Sequence, residues 1–318
     1  MALGLIIDFT FVIRGVEKMI FPETGNSNYQ FLLLKHMNLK NRFATAGLVL
    51  SVAFGCGQNT EKEAGSADSS AADSAMMARD SVAESKTQDF FQSLPSPIHV
   101  ARIFQRAGLK FISGTTNPAS NASKYMSPYS KSINLGVYTT DLSYCTFNDQ
   151  SQEAISYFKA VKTLTDGLNL TSIFESTNLV PRFEKNIGNK DSLVTLMATM
   201  SMESDVLLKQ TSRLDIAYLS FAGAWTESAY IATQMLKNKR NPDILKRLLD
   251  QNNSLGKLIA LLQDFDDKQE FEGLVTSLSE IKASLDVLNS ENTTTHEEEF
   301  KKLTNKVETL RNKIVNDN

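Results

Sequence analysis

Glycine and proline are scarce in this chain, 15 and 7 in 318 residues. A sequence so short of turn formers is poorly suited to a fold of many short strands and favours helices. Cysteine occurs twice, at Cys56 and Cys145, so no disulfide framework supports the fold and packing must hold it. Histidine occurs three times, at His36, His99 and His296. A zinc site needs three or four His, Cys or carboxylate ligands at suitable spacing, and neither HExxH nor CxxC is present. A serine triad needs a histidine base, and GxSxG is absent as well. The phosphate-loop pattern is missing too. No metal and no cofactor is therefore expected. The formal charge is only -3, with no broad basic region, which argues against a nucleic-acid partner.

What is present begins with MNLKNRFATAGLVLSVAFGCGQN, Met37 to Asn59. Lys40 and Arg42 form a short positive segment. Phe43 to Gly55 follows without a charge, too short for a stable membrane span but suited to the core of an export signal. Small residues at Ala53 and Gly55 fit the pockets of a signal peptidase. The run Ala53-Phe54-Gly55-Cys56 resembles the lipobox of bacterial lipoproteins, although many of those carry Leu and a smaller residue at the first two positions. The resemblance implies cleavage after Gly55 and diacylglyceryl transfer to the Cys56 thiol. It makes the lipid bilayer the first expected partner and the bacterial outer membrane the expected location, facing the periplasm or the cell surface. Each buried lipid CH₂ contributes ~0.8 kcal/mol, so several acyl chains anchor a protein in effect permanently. Ordinary cleavage with a free Cys56 is the competing reading, and an uncleaved or cytosolic chain a third. On this view residues 1–36 are an upstream extension from a wrong start, and 37–55 are the signal.

Residues 56–94 change character. Gly57 to Ser93 is rich in Ala, Ser, Asp and Glu and has no aromatic residue until Phe90 and Phe91. Most of such a segment cannot bury enough apolar area to offset its ordering entropy, which predicts a disordered tether. A chain of that length spans roughly 30–35 Å on flexible-linker scaling. Glu61 and Glu63 resemble the surface-export signal of some Bacteroidetes lipoproteins, but Lys62 dilutes the pattern and a plain solubilising linker is the better reading.

From residue 95 the signals are helical, and the fold class expected is all-α: a multi-helix bundle over 95–265, then a coiled-coil-like antiparallel hairpin over 266–318. Ser96-Pro97 and Ser127-Pro128 are start signals, with serine as cap and proline at the first helical position. They predict a short helix ending at Gly108, an ordered loop over 109–126, and a helix to about Phe147. Further helices are predicted over 152–166, 172–176, 180–187, 191–210 and 212–239. The last is apolar or small nearly all round, the mark of a central buried helix. Three heptad stripes follow: Leu245, Leu248, Asn252, Leu255, Ile259, Leu262; then Phe271, Leu274, Leu278, Ile281, Leu285, Leu288; then Phe300, Leu303, Val307, Leu310, Ile314. Thr294 with Glu297, or Thr295 with Glu298, fits a capping box for the last helix. Such stripes usually build a chain's own core. The sharper alternative is a seam over Phe271 to Leu310 that docks an envelope protein or a second copy, which leaves the oligomeric state open.

The remaining candidates are polar residues on apolar faces. Asp141 shares a face with Val137, Tyr138 and Cys145; Glu227 shares one with Gly223, Ala224 and Ile231. A buried carboxylate needs a partner, and Arg182 or Lys185 could supply it. A structural ion pair is the commoner outcome; a catalytic carboxylate pair is the rarer one. The segments SPIHVARIFQRAGLKFISGTTNP, SKSINLGVYTTDLSYC and FAGAWTESAYIA resemble a family of Bacteroidetes lipoproteins over about residues 95–290. That resemblance implies an all-helical domain on a lipid anchor and assigns no activity. The expected function is a membrane-tethered, non-enzymatic helical interaction or scaffold module. The alternative is a ligand-binding lipoprotein with a pocket near Tyr138, Asp141, Trp225 and Glu227, with Arg182 as a possible neighbour.

Overall fold

A computed structural model describes residues 102–103, 105–108, 110–176, 178–239, 241–265, 268–290 and 296–317, all in one compact unit of the chain. The signal, Cys56, the tether, His99 and the threonines of the capping box lie outside the described residues. After a helical turn around Arg102 and Arg106, a 3-10 turn covers Ala119–Lys124 inside the 109–126 loop. Ten α-helices follow: α1 Pro128–Phe147, α2 Ser151–Gly167, α3 Ser172–Ser176, α4 Leu179–Lys185, α5 Lys190–Gln210, α6 Leu214–Asn238, α7 Pro242–Asp250, α8 Asn252–Asp264, α9 Lys268–Asn289 and α10 His296–Asn316. The described residues contain no strand, and the all-α multi-helix bundle is the observed fold.

The helix starts follow their caps. Ser127 Oγ accepts from the Ser130 amide at 2.9 Å, and Pro128 opens α1. Asn189 Oδ1 accepts from the Ser192 amide at 3.1 Å to begin α5. Asn241 Oδ1 accepts from Asp243 and Ile244 ahead of Pro242 in α7. Each cap satisfies amide donors that the first turn leaves without a partner. Gly108 and Gly188 have φ of +91° and +86°, left-handed geometry that glycine adopts without a Cβ clash.

The α1–α6 crossing organises the interior. A Cβ built at Gly136 of α1 would lie 1.7 Å from the Ser220 carbonyl oxygen of α6. One built at Gly223 would lie 1.8 Å from the Ile133 oxygen of α1. The two backbones therefore touch where each helix has a glycine. Around the crossing, Ser220 Oγ donates to the Ser132 carbonyl at 2.9 Å and Thr140 Oγ1 to the Ala224 carbonyl at 3.3 Å. Helix α6 also packs on α5, α7, α8 and α10, which is why its apolar residues occur on every side.

Two expectations for the C-terminal third change. The stripe over 245–262 is two helices, not one, with a joint at Gln251. Asp250, Asn252 and Asn253 surround that joint, and such side chains compete for backbone hydrogen bonds and weaken a helix interior. Ile244 is fully buried there while Leu245 is only partly so, which rotates the first piece relative to the stripe. The second change concerns the seam. Phe271, Leu274, Leu278, Ile281, Leu285, Leu303, Val307 and Leu310 are all buried, and Phe300 is partly buried against them. Helix α9 packs between α8 and α10, and α10 returns onto α6 and α1. The seam is spent on the chain's own core, so it is not an exposed docking stripe.

Candidate functional site

Two places in the bundle are candidates for function, one ionic and one mostly apolar. The first is a buried ionic cluster built from three distant parts of the sequence. Helix α1 supplies Tyr138 and Asp141, α6 supplies Glu227 and Tyr230, and α10 supplies Arg311. Arg311 Nε donates to Glu227 Oε2 at 3.0 Å and Nη2 to Oε1 at 3.2 Å, a two-pronged pairing. Nη2 also donates to the Thr115 carbonyl at 3.4 Å, and the guanidinium carbon sits 4.7 Å from the Tyr230 ring centre. Both carboxyl groups are fully buried.

The surrounding shell has its own partners. The Asn117 amide donates to Asp141 Oδ2 at 3.1 Å. Asn117 Nδ2 donates to the hydroxyls of Tyr125 and Tyr138. Those hydroxyls donate in turn to the carbonyls of Val315 and Pro118. Tyr125 thus fastens the 109–126 loop to the end of α10, and Asn134 Nδ2 adds a bond from α1 to the Ile314 carbonyl at 3.0 Å. Asp141 Oδ1 and Asn134 Oδ1 accept no hydrogen bond within this shell. Burial raises the Asp141 carboxyl far above its ordinary value, and the neighbouring Glu227 carboxylate raises it further. Burial raises Glu227 as well, but Arg311 pulls it back. The arrangement that balances charge is a protonated Asp141 that donates a hydrogen bond to Glu227, with Glu227 ionised against Arg311. Burial pushes the Cys145 thiol up beside it, so the described free cysteine is an inert apolar side chain.

The expected site residues divide accordingly. Tyr138, Asp141 and Glu227 do meet. Arg182 does not join them: it is on the exposed side of α4, and the partner of Glu227 is Arg311. Trp225 is buried, but two residues from Glu227 on one helix it faces another direction. Arg311 was missed, yet a signal existed. Thr304, Val307, Arg311 and Ile314 keep the three-four step of the α10 stripe, so an arginine occupies a core position.

The second place is a cleft of about 200 Å³ between α1, α2, α3, α5 and α6. Val161, Leu170, Ile173, Phe174, Met200 and Leu208 form much of its wall. Its space comes from small side chains, among them Gly136, Ala217, Ser220 and Ala224. None of Tyr138, Asp141, Arg182, Trp225 or Glu227 lines it, and it lies on another side of α1 from Tyr138 and Asp141. Asp205 of α5 is the one ionisable residue in the lining. Burial pushes its carboxyl up to about 6, against a lowering by Lys209 one turn on.

Among the described residues no cluster of three or more His, Cys, Asp or Glu is placed to hold a metal, and no helix is long and apolar enough to cross a membrane. Comparison with protein-family models, curated proteins and solved structures finds no match for this chain.

Proposed function

We propose that this chain is a lipid-anchored binding module of the bacterial cell envelope, which holds a small, largely apolar ligand in the cleft between α1, α2, α3, α5 and α6. The observation that carries the reading is the cleft itself: about 200 Å³ of unfilled space lined mostly by apolar side chains, with a few polar groups at its edge. Natural interiors are packed nearly as densely as organic crystals, and concave apolar sites with few polar groups are the usual form of a ligand pocket. The volume is roughly a third larger than the ~150 Å³ cavity that accepts a benzene ring. Binding is favoured over scaffolding because the heptad seam is consumed internally. It is favoured over catalysis because Asp141 and Glu227 are sealed from solvent, one paired with Arg311.

The anchor rests on the sequence of the export signal and Cys56, with the bilayer as partner. Mass analysis of the mature chain is expected to find Cys56 as an acylated first residue; a plain thiol there would leave a secreted module. The binding half is tested by titrating the full chain with ethylbenzene and following the methyl signals of Met200 and Leu208. Saturable shifts are expected, and they should vanish in Ala217→Phe, whose ring fills the cleft. No shift in the unsubstituted chain at ligand saturation would end this reading.

A further inference from the structure

The geometry points to an organic cation as the ligand of the cleft: a small amine with an apolar ring or short chain, its ammonium paired with Asp205 and its apolar part seated against Val161, Phe174 and Met200. This rests on the ligand-binding reading and adds the chemical class.

Three observations carry it. The cleft's walls come from five helices, and α1, α2, α3 and α6 contribute no charged group to the lining. Asp205 is the sole ionisable side chain there. The charge acting on it is that of Lys209, an exposed residue on the same helix and not part of the lining. A carboxylate withdrawn from water is unfavourable without a countercharge, and a cation beside it recovers that loss. Four of the five hydroxyls lining the cleft are directed elsewhere: Thr139, Thr165 and Ser204 donate to carbonyls on their own helices, and Ser220 to α1, which leaves Ser201. They offer oxygen lone pairs, which suit ammonium hydrogens better than an anion. An acidic ligand would meet Asp205 with no cation in the lining to offset it.

The size limits the class further. A cavity near 150 Å³ admits a benzene ring, so about 200 Å³ leaves room for a ring with a two-atom arm. Such an arm lets the ring sit among the apolar walls while the amine remains at the acid. Burial holds Asp205 near 6, and a ligand cation would lower that value by favouring the ionised form.

The test is calorimetric titration of the full chain with three probes of one size: phenethylamine, ethylbenzene and phenylacetate. Phenethylamine is expected to bind about tenfold or more tightly than ethylbenzene, as a charge-assisted contact should provide. Phenylacetate should bind worst. Binding of phenethylamine should weaken as pH falls through about 6, where Asp205 takes up its proton in the free protein. In Asp205→Asn, the ratio of phenethylamine to ethylbenzene affinity should fall to about one. If that variant does not fold, the ranking of the three probes on the unsubstituted chain decides alone. Ethylbenzene binding as well as the amine overturns the cationic class and leaves the cleft a ligand site. Failure of all three probes overturns the binding reading itself. An amine that binds with no pH dependence and no effect of Asp205→Asn overturns the assignment of Asp205.

Discussion

Asp141 is fully and Asp205 partly withdrawn from water, and the two acids stand in opposite settings. Asp141 lies in a filled region where Glu227, Arg311, Asn117 and two tyrosines are positioned around it. Asp205 lies at the wall of an unfilled region whose other lining residues are uncharged. Burial raises both acids. What separates them is the provision made for charge. In the first region it is complete and comes from three helices, which makes the cluster a fastener between α1, α6 and α10. In the second, open space remains beside a carboxyl whose acting countercharge, Lys209, stands outside the lining, the combination expected of a binding site rather than of an internal joint.

The largest effect expected from breaking this contrast is at Glu227. Glu227→Gln keeps the shape but leaves Arg311 buried without its countercharge, and losing one member of a buried pair typically costs about 3–5 kcal/mol. Urea unfolding of the full chain should show a loss of that size. Replacing both residues, Glu227→Met with Arg311→Met, should restore most of it, because a buried pair exchanged for apolar groups of similar volume is often neutral or better. A double variant as unstable as the single one would show that the cluster contributes more than charge balance, through the Thr115 and Tyr230 contacts of Arg311.

How much of this was readable beforehand depends on whether the cause was local. The Ser127-Pro128 start, the Gly188 stop and the all-round apolar character of α6 are local, and the elements they predict over 128–147, 152–166, 191–210 and 212–239 agree with the structure to within two residues. The coiled-coil-like stripes were legible too, since periodicity reports which face is covered. What covers that face is a long-range fact, and the docking reading of the seam failed for that reason. The α1–α6 backbone contact was hidden because Gly136 and Gly223 are 87 positions apart and each alone resembles a tolerated helix glycine. Arg311 was overlooked because an arginine on an amphipathic helix normally marks the solvent face. The cleft left the weakest trace of all, for it consists of missing bulk at Gly136, Ala217, Ser220 and Ala224, and small residues in a helix otherwise read as close packing.

A smaller but more discriminating effect is expected in the pH dependence of stability. A folded-state acid raised above its unfolded value keeps a proton that the unfolded chain has already released. Stability is then highest below the unfolded value of ~3.9 and falls as pH rises toward the folded one. Asp141 and Asp205 share this sign. Each can contribute at most about 1.4 kcal/mol per pH unit while it alone titrates differently in the two states. Asp141→Asn should flatten the decline, because its amide can donate to Glu227 as the acid does, while its oxygen still accepts from the Asn117 amide. Asp205→Asn should change chiefly the limb between the unfolded value of ~3.9 and the folded midpoint at about 6. Unfolding curves of the two variants and the parent chain, taken at intervals of pH, separate the two contributions. If Asp141→Asn leaves the profile unaltered, Asp141 does not hold the shared proton in the folded state. Glu227 would then be the protonated member, and the pairing of Arg311 would have to be with a neutral acid, which the two-pronged geometry argues against.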